Sequence, residues 1–296
     1  MSHEEKLVTI GSGPQEQRER QLRERMARIQ RRLVVVSGKG GVGKSTVAAK
    51  LALALCSHGH RVGLLDVDIH GPSIPKILGC EGASLISDGH SMLPVEVRDR
   101  LTVMSIGFLI GNKTDAVIWR GPIKFKMIQQ FLSDVAWGEL DYLVVDCPPG
   151  TGDEPLSVAQ LIGRPAAAVA VTTPQELAVA DVRRCITFCQ KADLPVAGVL
   201  ENMSGYVCPQ CGSHTDLFGS GGGERLSQEM SVPFLGRIAI DARIVGCGDA
   251  GRCLMEVHPE SPAAQSYLML ASGLHRRDDL WSEGAAAALT SSEAPR

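Results

Sequence analysis

The stretch LVVVSGKGGVGKST, Leu33 to Thr46, limits what this chain can fold into more than any other. Leu33, Val34, Val35 and Val36 make a short apolar run, mostly β-branched, that reads as a buried strand. A glycine-rich turn follows, and then VAAKLALALC, whose Ala and Leu content favours helix. Gly38 to Ser45 fits G-x-x-x-x-G-K-[ST] in this strand–loop–helix setting, the pattern of a phosphate-binding loop. Glycines lack a Cβ, so consecutive backbone N–H groups can wrap phosphate oxygens, and the helix N-terminus adds partial positive charge. Gly38, Gly40, Gly41, Val42 and Gly43 would form the cradle, Lys44 would reach the β- and γ-phosphates, and Ser45 would ligate Mg²⁺. Thr46 is expected to hold the α-phosphate.

Further acidic groups sit where such a loop needs them. Val62 to Leu65 reads as a second strand that delivers Asp66 and Asp68 at its carboxyl end, where ligands bind in open parallel sheets. Each could hold a Mg²⁺-bound water or orient an attacking water. Leu140 to Asp146 (LDYLVVD) is a buried strand ending in an aspartate, which fits a Walker B element with Asp146 near the Mg²⁺. The stiff turn CPPGTGDE follows, in which the Gly150 N–H is placed to sense a γ-phosphate. Later strands are expected at 101–110, 166–174 and 196–205, the last containing Asn202, which by itself reads as a turn residue. Helices are expected over 124–137 and 176–192, and Trp119 and Arg120 in WRGP read as packing and interface residues.

The second chemical signal is Cys208-Pro209-Gln210-Cys211, a CxxC in a short loop. Two thiolates at this spacing can hold a soft metal centre, but tetrahedral zinc or a [4Fe–4S] cluster wants four ligands. His214 is a candidate third, and no second CxxC occurs in the chain. A two-fold dimer would supply the missing pair by setting two copies of the loop together. Zinc, a cluster, and a redox or structural pair all remain open on spacing alone. The nine cysteines are an odd number spread through a long chain, which argues against a disulfide framework.

The loop GKGGVGKS has a second lysine, Lys39, directly after its first glycine. This resembles the deviant Walker A loop of the MinD, ParA, ArsA and nitrogenase iron-protein superfamily, in which the early lysine reaches across a dimer interface to the partner's nucleotide. That resemblance implies Asp68 as the water-orienting residue, Asp66 as a metal-site residue, and Asn202 against the adenine ring. Together GKGGVGKST, DVDIHGPSIP, WRGP, VVDCPPGTGDE, ENMSGYVCPQC and FGSGGGE are similar to the Mrp/ApbC group of P-loop iron–sulfur cluster carriers, over roughly residues 30–270. The resemblance implies an α/β fold with a mostly parallel sheet and helices on both faces. It also implies a homodimer that hydrolyses ATP with Mg²⁺, holds a labile [4Fe–4S] cluster through Cys208 and Cys211, and exchanges it with upstream scaffolds and apo client proteins. Ala239 and Ala242 stand where such proteins often show prolines.

Two other functions fit parts of the pattern: a ParA/MinD-like switch that positions cargo, and an electron donor like the nitrogenase iron protein. The first usually displays a basic patch or an amphipathic C-terminal helix, and a net charge of −3 gives no sign of a nucleic-acid partner. No apolar run is long enough to span a membrane and no signal-peptide pattern opens the chain, so a cytoplasmic protein without a membrane partner is expected. The expected organisation is a charged extension over 1–31, an ATPase domain over 32–275 and a disordered tail over 276–296. Leu22, Met26 and Ile29 fall at helical spacing within the extension.

Overall fold

Alternation along the first apolar run sends Leu33 and Val35 to one face of their strand and Val34 and Val36 to the other, and all four are buried. A strand apolar on both faces belongs at the centre of a sheet covered on both sides. The computed structural model places it there, and describes residues 14–89, 91–109, 121–208 and 210–281. The strands are β1 (Ile29–Ser37), β2 (Val62–Asp66), β3 (Ile86–Ser87), β4 (Met92–Leu93), β5 (Val95–Arg98), β6 (Leu101–Ser105), β7 (Leu140–Asp146), β8 (Ala166–Thr172), β9 (Val196–Val207), β10 (His214–Thr215) and β11 (Phe234–Ile240). The helices are α1 (Pro14–Met26), α2 (Lys44–Ser57), α3 (Ile74–Ile77), α4 (Gly121–Ser133), α5 (Asp153–Leu161), α6 (Glu176–Lys191), α7 (Gly222–Glu229), α8 (Ala242–Asp249), α9 (Leu254–Val257), α10 (Pro262–His275) and α11 (Asp278–Trp281).

The main sheet runs β10-β9-β8-β1-β7-β2-β6-β5, with β11 also paired to β9. All pairs are parallel except β5 with β6 and β9 with β10, so the expected mostly parallel α/β sheet is what forms. The core on one face joins α2 and α10 to Leu33 and Val35, and the core on the other joins α4 and α6 to Val34 and Val36. Parallel pairing brings the carboxyl ends of β1, β2, β7 and β8 to one edge, with Asp66 directly beside Asp146.

The ends of the domain differ from the sequence reading. Helix α1 stops at Met26, and Ile29 opens β1 opposite Leu140 rather than continuing the helix, so residues 29–31 belong to the sheet. Buried Arg32 ties the turn together: its guanidinium donates to the Met26 carbonyl, which the end of α1 leaves without a helical partner, and to the Ile29 carbonyl at the start of β1. Leu22, Met26 and Ile29 still pack into one core. At the other end, α11 follows α10 and docks instead of dangling. Leu280 is buried, and the Arg31 guanidinium lies 5.5 Å from the Trp281 ring centroid. Residues 282–296 of the expected tail lie outside the described residues, as do Trp119 and Arg120. The strand expected over 101–110 ends at Ser105, whose hydroxyl accepts the Gly107 N–H at 3.0 Å and caps a single 3₁₀ turn. The helix expected from Lys124 begins at Gly121.

Candidate functional site

The turn after β1 leads straight into α2, and a cavity of about 250 Å³ opens above it. Its walls are Ser37, Lys39, Gly40, Gly41, Gly43, Lys44, Ser45, Thr46, Asp68, Ser73 and Pro149. Two glycines of the motif are required by close approach as well as by backbone conformation. A Cβ on Gly38 would lie 2.2 Å from the Asp181 backbone of α6. Gly43 has φ 82°, caps α2, and would put a Cβ 2.4 Å from Asn202 Nδ2.

The charged floor of the cavity is built by strand register. Lys44 is nearly buried, and its ammonium donates to Asp146 Oδ1 at 2.6 Å and to Ser45 Oγ at 3.1 Å, with Asp68 Oδ2 at 3.8 Å. Burial alone would lower its pKa, but Asp146 and then Asp68 outweigh that and raise it. Asp146 Oδ2 is buried with no hydrogen-bond partner, beside the Ser45 hydroxyl. An orphaned carboxylate oxygen next to a hydroxyl is a donor set that suits Mg²⁺, a hard cation that takes oxygen ligands. The residues present therefore fit the ion.

Asp66 lies behind the cavity, beside Asp146. It is fully buried, accepts from Ser105 Oγ at 2.9 Å and from the Asp68 N–H at 3.1 Å, and does not line the cavity. Burial first, and Asp146 second, push its carboxyl up to about 8. A carboxyl held protonated in the fold makes stability fall as pH rises. Its contribution is complete below the unfolded value near 3.8 and is lost as pH climbs through about 8. Asp66→Asn is expected to remove this group's share of that fall, making metal-free stability less steep between pH 5 and 8 by up to about 1.4 kcal/mol per unit; urea midpoints across that range measure it.

Gly150 and Asn202 are tied to the phosphate loop from outside the cavity. The Gly150 N–H donates to Ser37 O at 2.8 Å, so it meets a phosphate only by releasing that bond. Asn202 Nδ2 donates to Val42 O at 2.9 Å. Lys39 makes no side-chain hydrogen bond or ion pair among the described residues. Sequence reading missed Ser37, Ser73 and Pro149, which complete the wall. It also missed Lys124, which donates to Glu154 Oε1 at 2.7 Å and lies 3.1 Å from His70 Nε2. That contact joins the loop after Asp68 to the helix after Gly150, over separations a local pattern does not show.

Cys147, Cys185, Cys189, Cys247 and Cys253 are buried in the two cores, Cys56 and Cys80 pack partly buried against one of them, and all nine thiols are free. Cys208 and Cys211 instead sit at the tip of the hairpin that joins β9 to β10. The tip is shaped by its backbone: the Cys208 N–H donates to Ser213 O at 2.9 Å and the Gly212 N–H to Cys208 O at 2.8 Å. Ser213 Oγ, 3.1 Å from Cys211 Sγ, leads the hydrogen bonds that lower the Cys211 pKa, favouring the thiolate. His214 packs over Gly205 and pairs with Asp216 at 3.7 Å. Among the described residues, no three His, Cys, Asp or Glu side chains converge on one metal position.

Comparison with known proteins identifies the family. A family model described as the NUBPL iron-transfer P-loop NTPase, of the ParA group, covers residues 28–275. The chain is 51% identical over 236 residues to the cytosolic Fe-S cluster assembly factor NUBP2 homolog of Trichoplax adhaerens, over 78% of this chain and 89% of that protein. It is 46% identical over 263 residues to the cytosolic Fe-S cluster assembly factor CFD1 of Saccharomyces cerevisiae, over 86% and 90%. Among solved structures, a nucleotide-binding protein of Archaeoglobus fulgidus in complex with ADP is 40% identical with a TM-score of 0.72, over 83% of this chain and 95% of that one. The cell division ATPase MinD of Pyrococcus furiosus shares the fold at 23% identity and a TM-score of 0.60, over 83% and 99%. The chain therefore belongs to the NUBPL iron-transfer P-loop NTPase family.

Proposed function

We propose that this protein is a cytosolic iron–sulfur cluster assembly factor that works as an ATP-hydrolysing homodimer. It carries a labile [4Fe–4S] cluster as cargo between scaffolds and apo client proteins. The observation behind this reading is the exposed hairpin tip, where each chain offers two thiols and no third ligand converges. A four-thiolate set then needs a second copy of the tip, which a two-fold axis supplies. The relatives named as cytosolic Fe-S cluster assembly factors support the cargo and the compartment.

In this reading the glycine turn and Lys44 hold the triphosphate, and Ser45 with Asp146 would hold a Mg²⁺ that would offset the negative charge of the transferring phosphoryl group. Asp68 orients a water for in-line attack on the γ-phosphorus. The bond to the β–γ bridging oxygen breaks, and ADP and phosphate are released. Lys39, free of partners among the described residues, extends toward the partner's triphosphate and stabilises charge there. Asn202 lies on the adenine side, and the Gly150 N–H exchanges Ser37 O for the γ-phosphate.

Anaerobic reconstitution with ferrous iron and sulfide, followed by absorption spectroscopy and sizing, tests the proposal. The expected product is a brown dimer with about four irons per two chains. A colourless zinc-binding chain, or a monomer that takes up no iron, would overturn it.

A further inference from the structure

The segment FGSGGGE (218–224) takes no part in the roles proposed above, yet Gly221 and Gly223 sit against one buried acid. Glu201 on β9 is fully buried. Its Oε1 accepts from the Gly221 N–H at 3.1 Å, Ser204 Oγ at 2.6 Å and Arg237 Nε at 3.3 Å. Its Oε2 accepts from the Gly223 N–H at 2.5 Å. Glycine at 223 gives the first turn of α7 close access to the acid: a Cβ there would crowd Glu201 Cβ at 3.1 Å.

One carboxylate thus fastens the start of α7 to the strand from which the thiol hairpin departs. Every described residue from Gln210 to Ser220 between these anchors is exposed, so the excursion has almost no core of its own. Its position is set at its two ends. The next residue along β9 is Asn202, whose side chain projects to the opposite face and holds the phosphate loop through Val42 O. A single strand therefore touches the nucleotide site with one residue and anchors the thiol excursion with its neighbour.

We propose that Glu201 is a positioning residue that couples nucleotide occupancy at the phosphate loop to the placement of Cys208 and Cys211. The proposal rests on the functional reading above and names the regulation of that site. A buried carboxylate tolerates few arrangements, because each must satisfy all its acceptor positions. A shift of the loop felt at Asn202 moves β9 and, through the clamp, the base of the excursion. Glutamine in place of Glu201 keeps the size but turns an amide donor toward one of two N–H donors, which releases α7 from the strand.

The test is the rate of iodoacetamide alkylation at Cys211, read by peptide mass spectrometry on the full metal-free chain with and without Mg²⁺–ATP. In the wild type the nucleotide is expected to change this rate by at least about fivefold. In Glu201→Gln the ratio is expected to fall to about one, while ATP affinity stays within about twofold of wild type. Should that variant not fold, Arg237→Gln loosens the same clamp from its exposed side, and an intermediate ratio is expected. A wild-type ratio near one overturns the proposal. So does a variant that keeps the wild-type ratio, or one that loses it only by losing ATP binding. The labelling needs no cluster, so a wild type that responds to ATP but takes up no iron would sink the carrier reading and leave this coupling standing.

Discussion

Replacing Cys208 by alanine is expected to abolish cluster loading, with iron per two chains falling from about four to background after anaerobic reconstitution. Each dimer would keep only the two Cys211 thiolates, too few to close a four-ligand set. The fold should not suffer, because the tip is held by the Cys208 N–H and carbonyl rather than by its sulfur. The lesion is therefore specific: ATP affinity and turnover in Cys208→Ala should stay within about twofold of wild type, because the thiol touches none of the cavity walls. Iron retained at the wild-type level would place the cargo elsewhere.

Lys44→Ala is expected to give the converse phenotype. Loss of a preorganised cation at the transferring phosphoryl group should cut ATP turnover by at least about a hundredfold, measured as phosphate release. It also removes the cation opposite Asp146, whose carboxylate is wholly buried and lies beside Asp66. Breaking a buried pair by deleting one partner costs about 3–5 kcal/mol, because the remaining charge is left without compensation. Proton uptake offers relief, since Asp146 is already raised by burial and loses the lysine that opposes that rise. A carboxyl raised in the folded state stabilises it below the unfolded value and ceases to do so as pH passes through the folded one. The variant should accordingly lose more stability at pH 8 than at pH 6, in thermal melts without nucleotide. Its hairpin tip is untouched, so iron loading should persist.

The phosphate loop was legible because its determinants are contiguous: a strand, a glycine turn and a helix within fourteen residues, Leu33 to Thr46. The sheet was legible for a related reason, since strands buried on both faces leave unbroken apolar runs. What escaped depends on where distant segments meet. Asp66 resembles a metal-site acid in sequence, but register places it beside Asp146 under full burial, a desolvation that no local pattern records. The Lys124–Glu154–His70 contact and the Glu201 clamp join residues from separate elements. Arg276 to Trp281 looked like the start of a polar tail, but Arg31 and Tyr142 at the foot of β1 and β7 give Trp281 an aromatic and cationic seat. CPQC alone left zinc, cluster and dithiol open, and solvent exposure at a hairpin tip is the fact that spacing does not supply.

The length of β9 has one more consequence. From Asn202 to Cys208 the backbone spans six residue steps, and the four from Asn202 to Tyr206 run past only two on β11, so the strand bulges between the phosphate loop and the hairpin tip. The nucleotide and the sulfur ligands would thus meet one strand at two different points along its length. A recipient could draw iron off by ligand substitution at the paired tips, without breaching the hydrophobic interior.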